Sequence, residues 1–368
     1  MEPVLEASAL RKVFRTSVRE AGLTGFLKSL VARRWKEMVA LDHVDLRVQR
    51  GEFVGLIGAN GAGKTTLVKL LTGIIPASSG TARLLGRDSF HLRDAEKSRL
   101  SLVMGQRSQL WWDIPAIDSF QLLREIYRIP AADFEQRLSS FAARLDVTDK
   151  LETQLRHLSL GQRMKMEIIG AFLHDPEVVF LDEPTIGLDL VSRETIRRFL
   201  VEHNQQRGAT IVLTSHDVED IEATCKRLVI LEHGRVLWDG DIVALAHELT
   251  AGRRIEVHLE PNLAESGVPE LDLATLPLAE YQAELSGRGQ HSLAFTVPAA
   301  KSQGFVRALF ASLPVRDLSV ERRPLEDLVK QIFAQGRRGR TPCVCRASCC
   351  VRRFGNCAKS RRSEPAFG

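Results

Sequence analysis

Long apolar runs are missing from this chain of 368 residues. No stretch approaches the roughly 18 apolar residues that a membrane span needs, so the chain is not expected to cross a bilayer. Its start, Met1-Glu-Pro-Val-Leu5, lacks the basic-then-apolar layout of a secretory signal, and the expected location is the cytoplasm. Cysteine is scarce. Of six cysteines, five lie between positions 343 and 357, which leaves Cys225 alone in the body of the chain. That excludes a disulfide scaffold and fits a reducing compartment. The body also lacks positive charge. Residues 336–368 carry nine Lys and Arg against one Glu; without them 42 basic and 45 acidic residues remain, a net of −3 beside the +5 of the whole. The overall basicity is therefore no sign that the body binds nucleic acid. The length suits two domains, each large enough for a core of its own.

What is present begins with Gly58-Ala-Asn-Gly-Ala-Gly-Lys-Thr-Thr66. The apolar run Glu52–Ile57 before it reads as a buried strand. Leu67, Leu70 and Leu71 after it share one helical face, and Gly73 is a helix stop. Strand, glycine loop and helix make the context of a P-loop. Gly58, Gly61 and Gly63 allow a backbone that side chains would obstruct, and the loop N–H groups with the helix N-terminus can face phosphates. Lys64 is expected to bridge the β- and γ-phosphates, and Thr65 to hold Mg²⁺. Downstream, Val178–Leu181 is a fully apolar strand ending in Asp182-Glu183-Pro184. After a P-loop this reads as a Walker B element. Asp182 is the expected Mg²⁺ ligand, directly or through water, and Glu183 the general base. Leu158-Ser-Leu-Gly-Gln162 opens a helix with Ser159 well placed as its N-cap, a second phosphate-binding end. Thr210–Thr214 is another buried strand and leads to His216, at the carboxyl end where α/β domains bind ligands.

The remaining chain supplies organisation. Residues 1–14 and Val39–Val48 read as strands. Between them, over 15–38, Leu23, Phe26, Leu27, Leu30 and Val31 follow helical spacing, with Lys28, Arg33 and Lys36 largely elsewhere on the wheel. Such a helix can pack on its own domain, lie on a membrane surface or dock a partner. Pro76–Gly80 reads as a turn, and Leu100–Gly105 as a strand delivering Gln106. Residues 107–157 read as mostly helical, broken at Pro115 and Pro130, like an inserted lobe. After Gly240, Arg254–Leu259, Ser292–Val297 and Val315–Val320 read as strands. Lys301–Leu313 and the stripe Leu325, Leu328, Val329, Ile332 and Phe333 read as helices, giving a small α+β domain. The tail, 336–368, has no apolar periodicity and is expected to be disordered. Its cysteines lack Cys-x-x-Cys pairs and a nearby His, so zinc is not the favoured reading; anionic lipid binding or an unselected end stay open.

Seven short motifs in one order resemble the ATP-binding subunits of ABC transporters over roughly residues 4–240. Phe14 corresponds to the aromatic that stacks on adenine. Gly58–Thr66 matches the Walker A, with Asn60 and Thr66 among its nucleotide contacts. Gln106 matches the Q-loop glutamine, which the resemblance makes both a Mg²⁺ ligand and a catalytic contact. Ser159, Gly161 and Gln162 fall in the signature motif, with Leu160 in place of its second usual glycine. Asp182 and Glu183 fall in the Walker B, Asp189 in the D-loop, and His216 on the switch histidine. Val103–Asp113, Leu158–Met164, Leu181–Asp189 and the insertion at 15–38 look like the ABC-2 type export ATPases that include viologen-type drug exporters.

The resemblance implies an α/β P-loop ATPase domain over 1–240 with a helical lobe at about 107–165. A small α+β accessory domain is expected over 241–335, then the tail. It implies a homodimer that sandwiches two ATP molecules, each between the Walker A of one chain and the signature of the other. Closure would drive separate transmembrane permease subunits, holding the protein at the inner face of the membrane. Trp111 and Trp112 are open to two readings, core packing or a groove for the permease. Two other functions stay in view: a soluble ABC ATPase acting on ribosomes or DNA, and an ATP-dependent regulator without transport. Against the first stand a single ATPase domain and the absence of heptads between Lys64 and Asp182. The transported substrate contacts the membrane subunits, so no residue here reads it.

Overall fold

The glycine loop leaves the middle of a largely parallel sheet, flanked in the chain by two antiparallel ones. The computed structural model describes residues 3–18, 34–105, 108–249, 252–259, 276–289, 292–322 and 325–337. β1 (Leu5–Val18) and β2 (Arg34–Val48) pair antiparallel from Leu5 with Val48 to Val18 with Arg34. Leu5, Leu10, Leu41, Val44 and Val48 are fully buried beneath this ribbon. Both strands run past their expected ends into 15–38. Residues 15–18 and 34–38 are strand rather than parts of a helix over 15–38. Pairs such as Ser17 with Trp35 and Phe14 with Met38 commit that backbone to cross-strand bonds. Leu23, Phe26, Leu27, Leu30 and Val31 lie outside the described residues.

β3 (Phe53–Ile57) is buried throughout, and α1 (Lys64–Leu71) follows the glycine loop, capped at Thr72 before Gly73. β4 (Ser79–Leu84) and β5 (Arg87–Asp88) complete the first sheet in the order β2-β1-β4-β5. Ser79 and Gly80, at the end of the expected turn, already belong to β4, where Ser79 pairs with Arg11. β6 (Leu100–Met104) leads to the helical lobe. There α2 (Ala116–Tyr127) and α3 (Ala131–Arg144) start directly after Pro115 and Pro130. Each proline tolerates a first turn and stops whatever precedes it. α4 (Leu160–Phe172) starts at the N-cap Ser159 and buries Met164, Ile168, Ala171 and Phe172.

β7 (Val178–Asp182), α5 (Leu190–Arg207), β8 (Thr210–Ser215), α6 (Val218–Thr224), β9 (Arg227–Glu232) and β10 (Arg235–Asp241) finish the central sheet, ordered β10-β9-β3-β8-β7-β6. All neighbours are parallel except β9 and β10. Helices and the first sheet cover both faces, which is why β3, β7 and β8 are apolar along their length. The register sets Ile57 beside Ser215, Asp182 beside Thr214 and Met104 beside Asp182. The glycine loop, Glu183, His216 and the exit of β6 therefore gather on one carboxyl edge.

Past α7 (Ile242–Leu249), the strands β11 (Gly252–Leu259), β12 (Glu284–Arg288), β13 (Ser292–Pro298) and β14 (Val315–Arg322) form a sheet ordered β12-β13-β11-β14. α8 (Ser302–Ser312) seals it, packing Phe305 and Leu309 on Ile255, Val257, Phe295 and Val297. β12 and α7 go beyond the expected elements. The last helix, α9 (Leu325–Arg337), does not join this core. Its stripe Leu325, Leu328, Val329 and Ile332 lies in one cluster with Ile221, Ile242 and Leu245, against α6 and α7. Among the described residues no helix is long and apolar enough to cross a membrane, and no group of three His, Cys, Asp or Glu could hold a metal by itself. The tail cysteines lie outside the described residues.

Candidate active site

The loop after β3 is shaped by what presses on it. A side chain at Gly58 would stand 2.4 Å from the Leu231 carbonyl oxygen; Gly63, at φ +108°, would place one 2.7 Å from that of Ala40. Neither position admits another residue without moving backbone. Asn60 and Gly61 form the exposed crest, and Thr66 is half-buried at the start of α1. Lys64 is only 6% exposed. Its ammonium curls back to donate to the Gly58 carbonyl at 2.7 Å and lies 3.3 Å from Glu183 Oε1.

Both oxygens of Asp182 are held by hydroxyls. Thr65 donates to Oδ2 at 2.8 Å and Thr214 to Oδ1 at 2.6 Å. Thr65 is 117 residues away in the chain and meets Asp182 only because β3 and β7 flank β8. Glu183 follows at φ +54°, a left-handed backbone that a side-chain-bearing residue rarely takes. Its N–H is fixed by the Thr214 carbonyl and hydroxyl, each at 3.1 Å, and its carboxylate reaches His216 Nδ1 at 3.2 Å. Lys64, Glu183 and His216 thus form one chain of polar contacts along the sheet edge.

The other predicted residues fall around this centre. Phe14 is half-buried on β1 beside Met38, with the Lys12 ammonium 5.2 Å from its ring centre. Gln106 lies outside the described residues. Its neighbour Gly105 donates to the Asp182 carbonyl at 2.9 Å, so the chain enters that position against the strand bearing the acid pair. Ser159 caps α4: its hydroxyl accepts from Gln162 N–H at 3.2 Å, and its own N–H donates to Gln162 Oε1 at 3.0 Å. Asp189 caps α5 through the Ser192 N–H and hydroxyl, both at 2.8 Å, and those bonds hold its carboxyl below the usual range. Gly161 packs against this turn, and a side chain there would sit 2.3 Å from Ser192 Oγ. Among the described residues no hydrogen bond or ion pair joins Ser159–Gln162 to the glycine loop.

Comparison with known proteins decides the family. A family model described as ABC transporter matches residues 41–186. The daunorubicin resistance ATP-binding protein DrrA3 of Streptomyces coeruleorubidus is 31% identical over 311 residues, 83% of this chain and 95% of that protein. The chain belongs to the ATP-binding proteins of ABC transporters. The ABC transporter ATP-binding protein NatA of Bacillus subtilis is 29% identical over 57% of this chain and 85% of its own. A solved ATP-binding subunit of an ABC transporter superposes with a TM-score of 0.54 at 26% identity, covering 67% of this chain and 92% of that one. The cassette MJ0796, solved as a dimer with ADP and Pi, gives 0.54 at 22% identity over 64% and 98%, a likeness of fold.

This ABC transporter ATP-binding protein is an ATPase, and its edge residues suit that reaction. The Thr65 hydroxyl and the Asp182 carboxylate, 2.8 Å apart, are the hard oxygen donors Mg²⁺ prefers. Thr214 was not among the expected residues, although a threonine following the apolar run Ile211–Leu213 at the carboxyl end of its strand was a readable signal. A second unexpected group is buried behind His216. Asp220 accepts from Thr185, Ser215 and Arg197, and Arg193 donates to Asp217 at 2.7 Å. Arg193 and Arg197, one turn apart on α5, grip Asp217 and Asp220 at the start of α6. That clasp ties the segment after Asp189 to the one bearing His216.

Proposed function

We propose that this protein is the ATP-hydrolysing subunit of an ABC-2 type exporter, working as a homodimer on separate transmembrane permease subunits at the inner face of the membrane. The observation that carries it is Glu183, held in a left-handed turn between Lys64 and His216 and beside the Thr65–Asp182 pair. The backbone of Gly58–Gly63 and the Lys64 ammonium receive the phosphates of ATP, with Asn60 and Thr66 beside them. Phe14 stacks on adenine. Thr65, Asp182 and Gln106 hold Mg²⁺, which when bound offsets the charge of the phosphates. Glu183 takes the proton of the attacking water, and His216 orients Glu183 and the reacting phosphate. Ser159, Gly161 and Gln162 face the γ-phosphate bound to the second copy, and Asp189 lies across the same interface.

Residues 1–240 then form the ATP-binding domain, 241–335 the accessory region, whose first and last helices α7 and α9 pack on the ATP-binding domain, and 336–368 a basic tail. Export is supported by what relatives are named for: daunorubicin resistance in DrrA3 and Nod factor export in a protein of Cupriavidus metallidurans, 31% identical over 57% of this chain. The purified full chain and its Glu183→Gln variant test the reading. Turnover is expected to fall by about 10²–10⁴-fold without the base, while ATP traps the variant as a dimer. Unchanged turnover, or a variant that stays monomeric in ATP, would sink the assignment.

A further inference from the structure

Glu167 is 6% exposed, on the signature helix α4, two turns beyond Ser159. Among the described residues each of its hydrogen-bond partners is a donor. The Ser108 hydroxyl donates to Oε1, the Gln109 N–H lies 3.2 and 3.0 Å from its two oxygens, and the Leu110 N–H 3.5 Å from Oε1. A buried carboxylate is costly unless such a cluster receives it, and an alanine or leucine would pack a helix at lower cost. Burial pushes the carboxyl above its usual range while those donors pull it back.

Two other residues of the helix meet the same segment. The Arg163 guanidinium stands 4.8 Å from the Trp112 ring, and at Gly170 a side chain would press on Leu110 at 3.2 Å. Positions 163, 167 and 170 stand at i, i+4 and i+7, one face of a helix. The segment 108–112 is in turn fixed to the central sheet, because the Gln109 amide donates to the Leu102 carbonyl in β6. β6 pairs with β7, which ends in Asp182. The path from Ser159 to the acid pair therefore runs α4, Glu167, segment 108–112, β6, β7.

We propose that Glu167 is a positioning residue for ATP turnover. Its carboxylate sets where the phosphate-facing end of α4, Ser159–Gly161, stands relative to the sheet that bears Asp182 and Glu183. A rigid helix carries a small shift at Glu167 to its N-terminus, about 12 Å away. The inference rests on the homodimer reading above, in which Ser159 serves the second copy's ATP.

The test compares wild type, Glu167→Ala, Glu167→Gln and the exposed, fold-safe Ser108→Ala, all as full chains well below their melting points. For Glu167→Ala, kcat is expected to fall about tenfold with KM for ATP within about twofold, because the loop that binds ATP is untouched. ATP-driven dimerisation in a Glu183→Gln background should weaken by a similar factor. The amides of Gln109 and Leu110 should exchange hydrogen at least about tenfold faster. Glu167→Gln, which keeps an acceptor oxygen, should recover most of the loss, and Ser108→Ala should shift kcat the same way by about twofold. A lowered melting point with wild-type kcat and dimerisation would make Glu167 merely structural and overturn the proposal. If Glu167→Ala does not fold, Ser108→Ala and Glu167→Gln decide it by the same readings. Amide exchange is read without ATP: fast exchange beside an inactive, monomeric wild type would instead count against the homodimer reading.

Discussion

Two histidines show how a single residue can set pH behaviour without touching the chemistry. His203 is 2% exposed, its ring set among Phe141, Phe172 and Phe199 at centroid distances of 5.7, 4.5 and 5.7 Å. Its Nε2 has no hydrogen-bond partner among the described residues. Burial holds it at about 4; His174, stacked on Tyr127, is held at about 4 by the same cause. An unfolded histidine titrates near about 6.5. Between those values the unfolded chain binds a proton that the folded one refuses. Stability is therefore intact above pH ~6.5 and is lost as pH falls toward ~4. At pH 5 the loss is about 2 kcal/mol for each histidine. Urea unfolding of His203→Phe at pH 7.5 and pH 5 checks this: the acid loss should shrink by about 2 kcal/mol. An unaltered pH dependence would mean that the ring takes its proton in place. At this scale the glycine loop and acid pair were readable because a backbone that binds phosphate dictates residue types. Glu167 was not, since a lone glutamate inside a helix carries no signal of what it will face.

Elements were readable where one residue type breaks the chain, and unreadable where pairing alone makes them. Pro115 and Pro130 announce α2 and α3 because proline fits only a first turn. β12, by contrast, is an edge strand of Glu-Leu-Ser-Gly-Arg with no fully buried residue, so no alternation marks it. The ribbon residues 15–18 and 34–38 are strand through each other's hydrogen bonds, information that sequence spacing does not hold. α9 lies between these cases. Its stripe declares a buried face without naming the core that receives it, and the core is that of α6 and α7 rather than the nearby sheet. This sets up a contrast. Leu328, 1% exposed, should cost about 2–5 kcal/mol as alanine, and the loss should fall on the unfolding transition that ATP raises. Leu309→Ala, in the core of the β11–β14 sheet, should act on a transition that ATP leaves alone. Calorimetry with and without ATP separates them, and the assignment of α9 fails if Leu328→Ala spares the ATP-sensitive transition.

At the scale of the whole molecule, the glycine loop and the signature turn stand apart. The glycine loop is hemmed in by Ala40, Leu231 and Glu183, whereas Gly161 is hemmed in by Ser192 and Asp189. If a working site needs both, it takes the loop from one copy and Ser159–Gln162 from another, related by a two-fold axis. That arrangement predicts complementation between two dead variants. Lys64→Ala alone spoils the phosphate end of both sites in a homodimer, and Ser159→Arg alone spoils the signature end of both. In a mixed dimer the two faults fall in one site and leave the other whole. Equal amounts of the two variants, mixed as monomers before ATP is added, should regain up to about a quarter of wild-type turnover, since half the dimers are mixed and each keeps one of two sites. Each variant alone should stay near background. Recovery would require parts from two chains in one site. Two active homodimers would instead mean that one of the residues is dispensable, and a mixture as inactive as its components would mean that each chain completes its own site or that one intact site cannot turn over beside a dead one. A covalently linked pair carrying both substitutions in one half puts a fault in each shared site and keeps an intact one only where each chain completes its own, so an active linked pair marks the first of those two cases and an inactive one the second.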